Sequence, residues 1–300
     1  MSLNEQQLEA RKSGLGGSDM ATVLGINPFK TAYQLFFEKT GQWSEDIGGD
    51  DPERPAFWGN VFEDAIATGY ETRTQRKVRR KNTTLRHKMH DFIIGHVDRI
   101  VTGDNRGLEI KNVSLHMSPK WGPDRSDKVA DYYVPQCATY MMLTGYPVWD
   151  VAAVFGGNDL RIYTLERDKE LEEMIIDAAH NFWTNHVLKN IAPEMDYSHP
   201  SSSEFLSKVH SGVSGHKIQL GENLYHYQKV LEEAKFDMKG LSILIEQCEN
   251  RIKKAMGDYF LGIFPDGTGY RRKVVNRGGY TVEPTKYIDF RYTKKPLETK

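Results

Sequence analysis

Asp98 closes an apolar run, Phe92-Ile93-Ile94-Gly95-His96-Val97-Asp98, and eleven residues later comes Glu109-Ile110-Lys111, set between Leu108 and Val113. A strand alternates its faces, so Glu109 and Lys111 point one way while Leu108 and Ile110 point the other. The segment between them, residues 102–107, is turn material. Folding the chain about Gly103 and Asp104 sets Asp98 opposite Glu109 on the neighbouring strand, with Cβ atoms roughly 5 Å apart. Two carboxylates that close repel each other, and an Mg²⁺ or Mn²⁺ ion between them resolves the repulsion. Lys111 then orients, or helps to deprotonate, a water held there. That is phosphodiester hydrolysis chemistry. An Asp followed by Glu-x-Lys also arises by chance on solvated strand faces, so the rest of the chain must support the reading.

The flanking elements read as an alternation of helices and strands. Residues 5–12 suggest a short polar helix, and Gly14-Leu15-Gly16-Gly17-Ser18-Asp19 leads into a helix over residues 20–25 that Ser18 or Asp19 is placed to cap. Backbone amides and a helix N-terminus in such a loop can receive a phosphate. No strand clearly precedes it and no Gly-Lys-Ser/Thr follows, so it is a weak nucleotide-binding loop. Residues 31–40 read as a helix closed by Gly41. A second helix opens at Trp58-Gly59, with Val61, Ala65 and Tyr70 on its apolar side and Glu63 and Asp64 in its first half, where carboxylates suit the helix dipole. Strands follow over 76–81, 91–101 and 107–113, then a helix over 132–144 ended by Gly145. Strands over 148–155 and 161–165 and a helix over 168–189 complete the series.

Seven serines between Ser198 and Ser214 mark residues 198–217 as a linker after a domain of residues 1–197. In the appendage, residues 218–300, the series Leu224, Tyr227, Leu231, Ala234, Met238, Leu241, Ile245, Cys248, Ile252 and Ala255 alternates at spacings of three and four, a heptad seam. Turn chemistry at Asn276-Arg277-Gly278-Gly279 predicts a β-hairpin between 270–275 and 280–282.

At 300 residues, with 39% hydrophobic and 27% charged side chains, the chain can bury a full core. It has no apolar run of membrane-spanning length and no apolar signal core, which predicts a cytoplasmic protein. Cys137 and Cys248 cannot supply a disulfide framework or a thiolate cluster. The net charge of −1 does not announce a nucleic-acid binder, but residues 73–88 carry eight Lys and Arg and no acidic residue. Arg76, Arg79 and Arg80 within it are candidates for tracking a phosphate backbone, although such a run is often only a solvated face. His87, His90 and His96 do not converge by strand alternation, and only His96 shares the expected face of Asp98.

The order helix, strand, hairpin with Asp…Glu-x-Lys, helix, strand resembles the PD-(D/E)xK nuclease core. More narrowly, the chain is similar to the phage lambda-exonuclease group and its YqaJ-type viral recombinases. Four elements over residues 8–190 carry the likeness: Arg11 with Gly14 to Asp19; Trp58-Gly59 with Glu63; Asp98 with Glu109-x-Lys111; and Gln136 in Tyr133-Val134-Pro135-Gln136. The segment before Asp98, Gly95-His96-Val97, lacks the proline that often stands beside this Asp. The resemblance implies an α/β fold, a central mixed sheet flanked by helices; the long-helix and β-hairpin appendage beyond Gly215 lies outside the compact lambda-type enzyme.

It implies a 5′→3′ exonuclease acting on double-stranded DNA ends, with Asp98, Glu109 and the Ile110 carbonyl holding Mg²⁺ (Mn²⁺ as substitute) and Glu63 beside a second metal position. Lys111 would activate the attacking water, Gln136 would orient it, and Arg11 with Ser18 would grip a 5′-phosphate. It further implies a homo-oligomer, a ring-shaped trimer, and a single-strand-annealing recombinase as partner, in the host cytoplasm if phage-encoded. A PD-(D/E)xK endonuclease or nickase would use the same residues, and an inactive DNA-end-binding scaffold is the alternative outside catalysis. A Cas4-like iron–sulfur nuclease is disfavoured, since two cysteines cannot supply four thiolates.

Overall fold

The computed structural model describes residues 11, 13–44, 51–212 and 215–274. The chain divides into two units, residues 1–210 and 211–300. The first contains strands β1 (Val78–Arg80), β2 (Leu85–Arg86), β3 (Ile94–Gly95), β4 (Arg99–Val101), β5 (Arg106–Val113), β6 (Val148–Phe155) and β7 (Asp159–Glu166). Its helices are α1 (Met20–Val23), α2 (Ala32–Lys39), α3 (Pro55–Thr74), α4 (Val134–Thr144), α5 (Lys169–Phe182) and α6 (Ser202–Val209).

Five strands form a central mixed sheet in the order β1-β4-β5-β6-β7. β5 and β6 run parallel, and the other neighbours are antiparallel. The alternation of β5 builds the layers. Leu108 and Ile110 pack with Ile66, Ala67 and Tyr70 of α3. On the opposite face Val113 joins Ile100, Trp149 and Val151 in the cluster that holds Cys137, Tyr140 and Met141 of α4. Glu109 and Lys111 share that second face. The core thus has α3 on one side of the sheet and α4 on the other.

Helix α3 begins three residues before the expected Trp58, because Pro55 takes the first helical position with its φ already set. Its buried positions are Ile66, Ala67 and Tyr70; Val61 and Ala65, expected on the apolar side, are exposed. Helix α4 ends at Gly145 in the left-handed conformation, as its sequence predicts. The stretch 91–101 is not one strand. Residues 96–98 separate β3, which pairs with β2, from β4, which joins the main sheet. The N-terminal segment docks at the break: Leu15 N–H donates to Phe92 O at 2.7 Å, and Ile94 N–H donates to Leu15 O at 2.9 Å. A Cβ at Gly14 would stand 2.6 Å from Phe92 O, so this close approach needs glycine.

The expected linker is partly folded. Helix α6 lies inside it, and Phe205, 1% exposed, sits edge-on to Tyr33, Phe37 and Trp43. Ser201 Oγ donates to Gln34 Oε1 at 2.8 Å. One aromatic at the right place in a Ser-rich segment overrides its composition.

In the second unit, helix α7 (Glu222–Met256) carries the heptad seam and buries none of its residues. The hairpin that follows is β8 (Leu261–Ile263) with β9 (Gly269–Arg271). Pro265-Asp266-Gly267 makes its turn, with Gly267 at φ +85°. The predicted turn at 276–279 lies outside the described residues, as does the helix predicted over 5–12 except for Arg11. No helix among the described residues is long and apolar enough to cross a membrane.

Candidate active site

The β4 ladder ends at Arg99, which pairs with Leu108. Asp98, the residue before it, turns its carboxylate into the sheet and accepts Ile110 N–H on Oδ2 at 2.9 Å. The side chain takes the position where a continued strand would offer a backbone carbonyl. The register expected about Gly103 therefore holds, and Asp98 lies opposite Glu109. Glu109 is 2% exposed. Lys111 Nζ donates to Glu109 Oε1 at 2.5 Å and to Gln136 Oε1 at 3.2 Å, and Gln136 Nε2 donates to Glu109 Oε1 at 2.7 Å. Two residues missed by sequence reasoning complete the frame. The Tyr133 ring lies 4.6 Å from Lys111 Nζ, and the Tyr140 hydroxyl accepts from Gln136 Nε2 at 3.0 Å. Their signal was helical spacing: residue 133, at the N-cap of α4, and residues 136 and 140 within it fall at i, i+3 and i+7.

Burial, and after it the Glu109 carboxylate, push the Asp98 carboxyl up to about 8. Burial alone would lower Lys111, but Glu109, Tyr133 and Asp98 outweigh it and hold the amine above its usual range. In this charge balance Lys111 is an ammonium and a donor. Glu109 Oε2 is buried without a hydrogen-bond partner. An orphaned carboxylate oxygen beside a second carboxyl that resists ionisation is what a hard dication with oxygen ligands would satisfy. These residues fit Mg²⁺ or Mn²⁺, with Asp98, Glu109 and the Ile110 carbonyl as candidate ligands. Among the described residues no three His, Cys, Asp or Glu side chains converge to hold a metal.

Glu63 is turned elsewhere. It ion-pairs with Arg99, which is 4% exposed, donates to Asp98 O at 2.7 Å and reaches Asp64 Oδ1 at 2.6 Å. Sequence reasoning missed Arg99, although an arginine between Asp98 and the apolar Ile100-Val101 has to find buried partners.

In the N-terminal loop Asp19 does not cap forward into α1. It accepts Gly16 N–H at 2.9 Å and pairs with Lys39 Nζ at 2.7 Å. Gly17 packs so closely on α4 that a Cβ would meet Tyr140 at 2.7 Å, which seats the loop against the helix that carries Gln136. Ser18 is exposed, and the Arg11 carbonyl accepts from Lys39 Nζ at 2.9 Å. His96, lowered to about 4 by burial, then Arg11 and Arg86, bonds Thr84 Oγ1 at 2.9 Å. His87 and His90 stack on each other, with ring centroids 5.2 Å apart.

The basic run is exposed except at the half-buried Lys81, but two of its candidate arginines meet carboxylates. Arg76 lies 3.7 Å from the fully buried Asp150, and Arg80 pairs with Asp64 at 2.5 Å. Edge strand β1 runs beside carboxylates that need counter-charges, so two of the three candidate arginines are held by protein. Arg79 is exposed.

The family described as "YqaJ-like viral recombinase domain" matches residues 6–147, a span that includes every candidate residue of the site. The chain is 33% identical over 265 residues to "Uncharacterized protein YqaJ" of Bacillus subtilis, covering 86% of this chain and 79% of that protein. The chain belongs to the YqaJ-like viral recombinase family. Its fold is also that of LHK-Exo, an alkaline exonuclease from Laribacter hongkongensis. The structure of LHK-Exo with dAMP aligns with a TM-score of 0.50 at 16% identity, over 69% of the YqaJ-like chain and 98% of LHK-Exo. A stretch of 53 residues is 36% identical to protein D345L of African swine fever virus, covering 18% of this chain and 14% of that protein. The expected mixed sheet between helices is the architecture of this YqaJ-like chain.

Proposed function

We propose that this YqaJ-like chain is a divalent-metal-dependent exonuclease that digests linear double-stranded DNA from its 5′ ends, exposing 3′ single strands for phage-type recombination. The observation that carries the reading is the pairing of Asp98 with Glu109, whose Oε2 has no partner, beside Lys111 and Gln136. The alkaline exonuclease name of LHK-Exo supports it. Mg²⁺, with Mn²⁺ as substitute, would supply Lewis acidity and a lowered pKa for the attacking water. Asp98, Glu109 and the Ile110 carbonyl would hold the ion. Lys111, fixed by Glu109 and Gln136, orients the water and steadies charge developing on the phosphate.

Arg11 and Ser18 bind a terminal 5′-phosphate through charge-assisted hydrogen bonds, and Arg79 tracks the backbone. Arg76 and Arg80 contribute only where the duplex competes with their carboxylate partners. The protein acts in the cytoplasm as a homo-oligomer, a trimer around the duplex, and hands its product to a single-strand-annealing recombinase. Residues 1–210 form the catalytic unit, and the remainder serves assembly or DNA retention.

The test is digestion of three substrates with Mg²⁺: linear duplex with 5′-phosphate, linear duplex with 5′-hydroxyl, and closed-circular duplex. Loss of both linear forms, the phosphorylated one faster, with intact circles, is the expected result. Cut circles would make it an endonuclease or nickase, and a mobility shift without digestion would make it an end-binding scaffold.

A further inference from the structure

The heptad seam of α7 reads the same in both directions. From Leu224 to Ala255 its spacings alternate between three and four, and they end as they begin, on three. An identical helix laid antiparallel therefore meets it in register, layer by layer: Leu224 on Ala255, Tyr227 on Ile252, Leu231 on Cys248, Ala234 on Ile245 and Met238 on Leu241. Each alanine and the cysteine then faces a larger aliphatic side chain, the alternation of size that fills a core without voids. A parallel pair would set Tyr227 on Tyr227 and Ala234 on Ala234, a bulge and, two turns on, a void. Its d positions would be Tyr, Ala, Leu, Cys and Ala, where a two-stranded parallel coiled coil favours leucine.

Charge selects the same direction. Residues 222–237 carry four acidic and two basic side chains, and residues 246–256 carry two acidic and three basic ones. Antiparallel pairing sets the acidic end of each helix on the basic end of the other and opposes the two helix dipoles. Parallel pairing sets like ends together. Leu224, Tyr227, Leu231, Met238, Leu241 and Ile245 are each 45–67% exposed. A matching helix would cover a stripe on the order of 800 Å² per copy, the size of a standard specific interface. We propose that α7 is a docking surface for the α7 of a second copy of this chain, packed antiparallel with Leu231 of each helix on Cys248 of the other. A two-fold contact closes on itself, so it joins copies in pairs, and the three-fold ring proposed above needs a contact of its own. The pairing stands independently of the nuclease reading.

The experiment oxidises the full-length protein in air with copper phenanthroline and reads covalent dimer on a non-reducing gel, with circular dichroism as the check on folding. Cys137 is buried and Cys248 is exposed. In the antiparallel pair Cys248 faces Leu231, so wild type should give no dimer band. Leu231→Cys should give a reducible band at twice the chain mass, and adding Cys248→Ser should abolish it. Residues 231 and 248 lie about 25 Å apart along one helix, too far for a bond within the chain. Should Leu231→Cys not fold, Ala234→Cys with Ile245→Cys, both on Cys248→Ser, tests the next layer: the pair should crosslink, and neither cysteine alone should. A dimer band from wild type, or from Leu231→Cys with Cys248→Ser, would mean parallel helices and overturn the proposal. No band from either facing pair in folded protein would also overturn it, since something other than a second α7 then covers the seam.

Discussion

The carboxylate of Asp98 accepts Ile110 N–H at 2.9 Å, so one side chain both ends the β4–β5 ladder and points its charge towards Glu109. Burial and Glu109 together push Asp98 up to about 8, which means that the ion-free site opposes folding at neutral pH. Asp98→Asn should therefore melt at a higher temperature than wild type in EDTA. Adding Mg²⁺ should raise the wild-type Tm and leave that of the variant unchanged. A variant that melts lower in EDTA would show that the pair is not strained.

Lys111 and Gln136 share the Glu109 carboxylate as partner, yet they should fail differently. Lys111→Ala should lose activity by at least about 100-fold even at saturating Mg²⁺, as expected for a group that positions the water and stabilises charge. Gln136→Leu should lose about 10–100-fold, the usual cost of removing support for a ligand, with part of the loss recovered at high Mg²⁺. Steady-state rates across a Mg²⁺ series check both, and full recovery of Lys111→Ala by Mg²⁺ would contradict its role.

Burial acts to raise Asp19, but Lys39, the Gly16 N–H and Arg11 outweigh it and hold the carboxyl below its usual range. A carboxyl depressed in the folded state adds stability above its unfolded pKa, near 3.9, and that stability is lost as pH falls through the lower folded value. Asp19→Asn should cost about 1–3 kcal/mol at pH 7. The gap should close below about pH 4, where wild type loses its advantage. Urea unfolding at several pH values measures it; a gap independent of pH would assign the effect to packing.

The paired carboxylates were legible because strand alternation and the turn at Gly103 involve only neighbours in sequence. The partners of Glu63 were not, since they depend on how α3 lies across the sheet and on where β4 begins. Sequence periodicity placed α3 correctly but rotated its apolar face, because Pro55 starts the helix early and the buried stripe runs through Ile66, Ala67 and Tyr70. The partners of the basic run were hidden for the same reason. Arg76 and Arg80 look free in sequence, yet Asp150 and Asp64, remote from them along the chain, claim their charges. Composition also concealed α6, where Phe205 alone decides the packing.

That helix fixes where the chain can be cut. Residues 1–210 should fold and retain hydrolysis, because α6 stays on its aromatic seat. Truncation after residue 197 removes Phe205 and should cost at least the ~3–5 kcal/mol of a large-to-small core change. Thermal melts of the two fragments check this, and equal stability would show that α6 contributes nothing.

The most direct test of the proposed chemistry is digestion of a linear duplex, labelled on either the 5′ or the 3′ end, by wild type, Asp98→Asn and Glu109→Gln in Mg²⁺ and in EDTA. The wild-type enzyme should release the 5′ label first, and only with Mg²⁺. Each variant should still shift the duplex in a gel while its turnover falls by at least about 100-fold. Near wild-type turnover in either variant, or undiminished digestion in EDTA, would contradict the assignment of this site.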